Sequence, residues 1–165
     1  MKKFNVAILG ATGAVGREML KVIEEYNIPV NELRTLASAK SAGTEIDFQG
    51  RKVKVMEATD DSFEGMDFVL GAVQNPMSKR FAPAIVKAGA VYIDNSSAFR
   101  MDPEVPLVVP EINGEDAFNN KGIIANPNCS TIITLMAVAG IAKVSPIKNM
   151  IACTYQAVSG AGING

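Results

Sequence analysis

Phe4-Asn5-Val6-Ala7-Ile8-Leu9-Gly10-Ala11-Thr12-Gly13-Ala14-Val15-Gly16 is the stretch from which the fold is read. Phe4 to Leu9 is a short apolar run that stops at a glycine. From Ala14 to Tyr26 the apolar residues Val15, Met19, Leu20, Val22 and Ile23 recur at helical intervals. Strand, glycine turn and helix in that order are the setting a phosphate-binding loop requires. Glycines permit positive φ and let a backbone approach a pyrophosphate, and the helix N-terminus supplies N–H donors and a partial positive charge. Gly10, Thr12, Gly13, Ala14, Val15 and Gly16 are the candidate contacts, with Thr12 able to add a hydroxyl. The spacing is GxxGxxG rather than the GxGxxG dinucleotide fingerprint, and a plain tight turn is the competing reading.

Working outward, the same alternation continues. Leu33 to Ala37 is a second apolar run, followed by Ser38-Ala39-Lys40-Ser41-Ala42-Gly43 and a hairpin over Thr44 to Val55 that turns at Gln49-Gly50. Asp67 to Val73 reads as a buried strand. A helix opens at Pro76 and closes at Gly89, and Val91 to Ile93 is the next strand. Leu107 to Val109 is too short to assign. Gly122 to Ala125 reads as a strand, Thr131 to Val144 as a helix and Met150 to Val158 as a longer strand. Such alternation predicts an α/β fold, a Rossmann-like, doubly wound and mostly parallel sheet with helices on both faces. The length leaves room for one full domain and the beginning of a second. Residues 1–127 form the first domain on this reading and 128–165 the beginning of the next.

At 165 residues with net charge −1, the chain has no electrostatic reason to seek nucleic acid or an anionic membrane. It has no apolar run of membrane-spanning length, and its start lacks the long apolar region of a signal peptide, so a cytoplasmic location is expected. Two cysteines give no disulfide framework, and the absence of histidine argues against a zinc constellation. The scattered methionines are expected to fill the core.

At the end of the second strand an acid would hold a ribose 2′-hydroxyl. Ser38, Lys40 and Ser41 stand there instead, two hydroxyls and an ammonium suited to a 2′-phosphate, which favours NADP over NAD. A solvated loop is the alternative. In Asn126-Pro127-Asn128-Cys129-Ser130-Thr131 a thiol sits at the first turn of a helix just after a strand, where unpaired N–H groups favour a thiolate. A small buried thiol is the competing reading. Cys153, in an apolar strand, is expected to be an inert core thiol.

Taken together, Gly10 to Gly16, Leu36 to Gly43, Asp94-Asn95-Ser96-Ser97-Ala98-Phe99-Arg100, Pro106 to Asn113, Pro127 to Thr131 and Tyr155 to Gly162 resemble the aspartate-semialdehyde dehydrogenase family. The resemblance implies NADPH-dependent reduction of aspartyl 4-phosphate to aspartate semialdehyde and phosphate, a step toward lysine, methionine, threonine and diaminopimelate. It implies Cys129 as nucleophile, Asn128 beside the developing oxyanion, Gln156 orienting the substrate, Arg100 binding phosphate, and Ser159 and Gly160 near the cofactor. An ion pair of Arg100 with Asp102 or Glu104 is the structural alternative. The family continues beyond this length with a histidine acid/base and forms homo-oligomers. The resemblance therefore implies an N-terminal fragment that ends in the start of a truncated second domain for catalysis and dimerisation, inactive by itself and poorly ordered or self-associating around Met150 to Val158. N-acetyl-glutamyl-phosphate reductase, whose cysteine sits in a Gly-Cys-Tyr-Pro-Thr context, and a non-catalytic nucleotide-binding module are the rival readings.

Overall fold

The computed structural model describes residues 2–156. In the first strand, β1 (Phe4–Leu9), Val6 to Leu9 are all buried, as a parallel strand covered on both faces requires. Their side chains alternate between two clusters. Ala7 and Leu9 join Leu36, Phe63, Val69, Phe81, Ile85 and Tyr92 on one face; Val6 and Ile8 join Ala11, Leu20, Ile23 and Phe48 on the other. Alternation along one strand thus builds two cores.

The helix α1 (Ala14–Glu25) closes the second face, burying Gly16, Leu20 and Ile23 at intervals of four and three. It is followed by β2 (Val30–Ala37), the hairpin β3 (Glu45–Phe48) and β4 (Arg51–Lys54), and the short β5 (Met56–Glu57). A 3-10 turn at Asp60–Phe63 leads to β6 (Phe68–Gly71) and then α2 (Asn75–Lys87), whose buried stripe is Ser78, Phe81, Ala82 and Ile85. Phe63 and Phe81 meet edge to face at 5.6 Å on the first face. After Gly89, at φ 81°, come β7 (Val91–Asp94), α3 (Pro110–Asn113), a 3-10 segment Gly114–Asn119, β8 (Ile123–Ala125) and α4 (Cys129–Ala142).

Six strands form one sheet in the order β5-β2-β1-β6-β7-β8, every neighbouring pair parallel. With α1 and the hairpin on one face and α2 on the other, this is the expected Rossmann-like doubly wound architecture. The chain leaves β1 toward β2 on one side and later returns to β6 on the other. The topological switch point, where such folds bind ligands, therefore lies between the carboxyl ends of β1 and β6. The hairpin forms a separate two-stranded antiparallel sheet turning through Gln49 and Gly50, at φ 48° and 72°.

Three expectations need correction. Residues 150–156 form no strand; 157 and 158 lie outside the described residues. The edge of β8 is already occupied, since Ala125 accepts from the Val108 amide at 3.0 Å and donates to the Pro106 carbonyl at 2.9 Å, so a further strand has no edge to join there. Without that strand Cys153 has no apolar face to enter, and it is exposed. Among the methionines Met66 is buried, but Met77, Met101, Met136 and Met150 are exposed.

Candidate active site

In an all-parallel sheet the turns that follow the strands share one edge. Here that edge carries the glycine turn after β1, Ser38 to Ser41 after β2, Asn95 to Arg100 after β7, and Asn126 to Cys129 after β8. Apart from Gln156, the sequence-predicted residues of the described chain are brought to one side by topology alone.

The three glycines of the first turn do different things. Gly10 has φ 92°, and a Cβ on it would lie 2.4 Å from the Ala72 carbonyl oxygen, so glycine is required where the turn passes the end of β6. A Cβ on Gly16 would lie 2.3 Å from the Gly10 carbonyl oxygen and 2.7 Å from the Ala11 Cα; its absence lets α1 seat against the turn. On Gly13 a Cβ would meet only the Gly10 carbonyl oxygen at 3.4 Å, so internal packing makes no comparable demand there. Gly13 is the N-cap of α1, without a side-chain cap and with no acidic residue in the first turn. An electropositive helix end with a bare, open cap fits a phosphate. Thr12 is half-buried beside it, and Ala14 and Val15 are exposed in the first turn.

After β2, Ser38 and Lys40 are exposed and Ser41 is half-buried. Lys40 forms no salt bridge with another described residue. One acid stands nearby: Glu57 on β5 is in register with Ala37 at the end of β2, and it is exposed. Sequence reading did not see it because β5 is only two residues long.

Cys129 is exposed and is the first residue of α4. The Asn128 side chain caps that helix, its Oδ1 accepting from the Ser130 amide at 2.9 Å. The Ser130 hydroxyl donates to Gln156 Oε1 at 3.3 Å, which brings Gln156 alongside the first turn of α4. Ser159 and Gly160 lie outside the described residues. Arg100 makes no ion pair with Asp102 or Glu104. Its Nε donates to the Asn126 carbonyl at 2.9 Å and one terminal nitrogen donates to the Asn95 carbonyl at 3.0 Å, stapling the turns after β7 and β8. Asn126 Nδ2 reinforces this by donating to Asn95 Oδ1 at 2.6 Å. Arg100 thus spends part of its donor fork on holding the turn that leads to Cys129.

A buried polar network supports these turns and has no assigned role in the sequence reading. Asp94, fully buried, accepts from the Ser96 amide at 3.1 Å, the Ser96 hydroxyl at 2.7 Å and the Tyr92 hydroxyl at 3.2 Å; Tyr92 also reaches Ser78 at 3.1 Å. Burial, with the Asp94 carboxylate next, pushes the Tyr92 phenol well above its usual pKa. Asn75, at the start of α2, accepts from the Ser97 amide at 3.0 Å and donates to its hydroxyl at 2.8 Å. The available signal was Ser78, a hydroxyl inside an otherwise apolar helical stripe, which must have a buried partner.

Fold and site together define a dinucleotide-binding α/β domain with a cysteine at its sheet edge. Residues 5–120 match the family described as semialdehyde dehydrogenase, NAD binding domain. The chain is 54% identical over 157 residues to aspartate-semialdehyde dehydrogenase of Synechocystis, covering 95% of this chain and 46% of that protein. It is 50% identical to the Bacillus subtilis enzyme, covering 96% and 46%. Among solved structures, aspartate semialdehyde dehydrogenase II from Vibrio cholerae superposes with a TM-score of 0.93 at 46% identity, over 99% of this chain and 50% of that one. The chain belongs to the semialdehyde dehydrogenase family and resembles aspartate-semialdehyde dehydrogenase within it. It spans about half the length of the curated relatives it matches.

Proposed function

We propose that this chain is the cofactor-binding part of an NADP-dependent aspartate-semialdehyde dehydrogenase and carries its nucleophile, Cys129. The observation that supports this best is the shared sheet edge: the glycine turn at the switch point and an exposed thiol at a capped helix N-terminus stand on the same side of one parallel sheet. On this reading Gly10 to Gly16 hold the pyrophosphate, with Gly13 and the first turn of α1 facing it. Ser38, Lys40 and Ser41 hold the 2′-phosphate. NADPH, when bound, supplies a hydride.

The Cys129 sulfur attacks the acyl carbon of aspartyl 4-phosphate, forming a C–S bond as the C–O bond to phosphate breaks, and phosphate leaves. Asn128 and the backbone amide of Cys129 lie where negative charge develops on the acyl oxygen. A hydride, which NADPH would supply, would reduce that thioester, with the Cys129 thiolate as the leaving group as the C–S bond breaks and aspartate semialdehyde is released. Gln156 orients the substrate, Arg100 and its stapled turn face the phosphate, and residues 128–165 begin the second domain. Complete turnover needs a proton carrier, and the 165 residues contain no histidine. The substrate is a small molecule, the setting is amino-acid biosynthesis in the cytoplasm, and the intact enzyme is a homo-oligomer.

The test is to titrate the chain with NADP and NAD by calorimetry, then to incubate it with aspartyl 4-phosphate in the absence of NADPH, so that an acyl thioester persists, and to read the protein by mass spectrometry. Tighter NADP binding and a mass adduct on Cys129, absent in Cys129→Ser, are the expected results. An NAD preference would assign the decisive role to Glu57 and reverse the cofactor reading. An unmodified Cys129 would favour a non-catalytic nucleotide-binding module.

A further inference from the structure

We propose that the β3–β4 hairpin is a brace for the Ser38–Ser41 turn, and that Thr44 is the positioning residue through which it sets the preference for a dinucleotide bearing a 2′-phosphate. This rests on the NADP reading above.

The hairpin lies outside the main sheet, yet it is anchored to α1 and β2 at three points. Phe48, 1% exposed, packs in the cluster that contains Leu20 and Ile23 of α1. The Gln49 amide donates to the Glu24 carboxylate on α1. The Thr35 hydroxyl of β2, itself fully buried, donates to the Lys54 carbonyl at 3.2 Å. From this anchored hairpin a chain of bonds runs to the turn. The Gly43 amide donates to the Val55 carbonyl at 2.9 Å, and the Val55 amide returns to the Thr44 carbonyl at 2.8 Å. The Thr44 hydroxyl donates to the Ser41 carbonyl at 2.7 Å. The Ser41 amide closes the turn on the Ser38 carbonyl at 2.9 Å.

A free segment of Ser, Ala, Lys and Gly would have to be ordered when a ligand arrives, at roughly 1 kcal/mol for each residue fixed. The brace orders it beforehand. Only a ligand that uses the turn gains from this, and a dinucleotide with a bare 2′-hydroxyl gains much less. NAD is therefore the internal control.

The experiment is calorimetric titration of the 165-residue chain and its Thr44→Val, Thr44→Ser and Lys40→Ala variants with NADP and with NAD. Thr44→Val weakens NADP about five-fold, the size of one lost hydrogen bond, while NAD changes less than about two-fold. Thr44→Ser keeps the hydroxyl and the parent ratio. If Thr44→Val weakens both ligands in parallel, or leaves the ratio unchanged while Lys40→Ala lowers it, the brace is overturned and the NADP reading stands. Failure of Thr44→Ser to retain the ratio also overturns it, since the hydroxyl would not be the cause. If Lys40→Ala leaves the ratio unchanged, the NADP reading itself falls, and the brace with it.

Discussion

Residues 4–125 and residues 129–156 are both rich in apolar side chains, and they fare oppositely. In the first region one strand feeds two cores because helices and the hairpin stand on both sides of the sheet. In the second, α4 is apolar from Ile132 to Ala142 apart from Thr134, whose hydroxyl is spent on the Ser130 carbonyl, yet it fully buries no residue. Ile133 is 71% exposed and, beyond the helix, Val144 is 90% and Ile151 95% exposed. A helix apolar on every face is normally enclosed. Hydrophobicity specifies that a segment belongs in a core, but a core forms only where a second surface opposes it, and among the described residues α4 packs chiefly against the short α3, which leaves Ile132, Leu135 and Val138 no more than half-buried.

The contrast can be broken most severely at Gly16. Gly16→Val places a branched side chain where even a Cβ would lie 2.3 Å from the backbone, and the expected loss exceeds about 4 kcal/mol, read as collapse of the cooperative urea transition. Phe63→Ala, which empties a fully buried ring site, costs about 3–4 kcal/mol by the same measurement. A smaller effect comes from Tyr92. Its raised pKa means the folded state holds a proton that an unfolded tyrosine loses near pH 10, so this stability is fully present below about pH 10 and is lost progressively as the pH rises from there through the raised folded value. Unfolding free energies from urea titrations at about pH 9 and about pH 11 should differ by roughly 1 kcal/mol more in the parent than in Tyr92→Phe. At the other extreme Ile133→Ala changes stability by less than about 0.5 kcal/mol despite its chemistry, because the side chain it shortens is already in water. A cost of 2 kcal/mol or more there, on the order of a buried aliphatic truncation, would show that α4 is covered after all.

The first region was legible because its signals are local. The stop at Gly10, the helical period from Val15 to Ile23, the Gln49-Gly50 turn and the Pro76 to Gly89 helix each fix an element by themselves, and observed bounds differ from the expected ones by a few residues. What escaped depends on partners distant in sequence. Glu57 gains its position from Ala37, twenty residues earlier in the chain. Asp94 was visible as part of a motif, but its buried links to Tyr92 and Ser78 come from the meeting of β7 and α2. The Met150 to Val158 strand was read from apolar content and β-propensity, and neither reveals that the β8 edge is taken by Pro106 to Val108. Arg100 shows the same limit: its type suggests an anion, while the fold also uses it to join two turns.

Both cysteines are exposed, so accessibility does not separate them, whereas only Cys129 stands at a capped helix N-terminus on the cofactor edge. The most direct measurement is the rate of iodoacetamide labelling of Cys129 against Cys153 near neutral pH, followed by peptide mass spectrometry with and without NADP. Labelling of Cys129 roughly ten-fold faster than Cys153, and slowed by NADP, is the expected result. Equal rates, unaffected by NADP, would contradict the assignment of Cys129 as the nucleophile beside the cofactor.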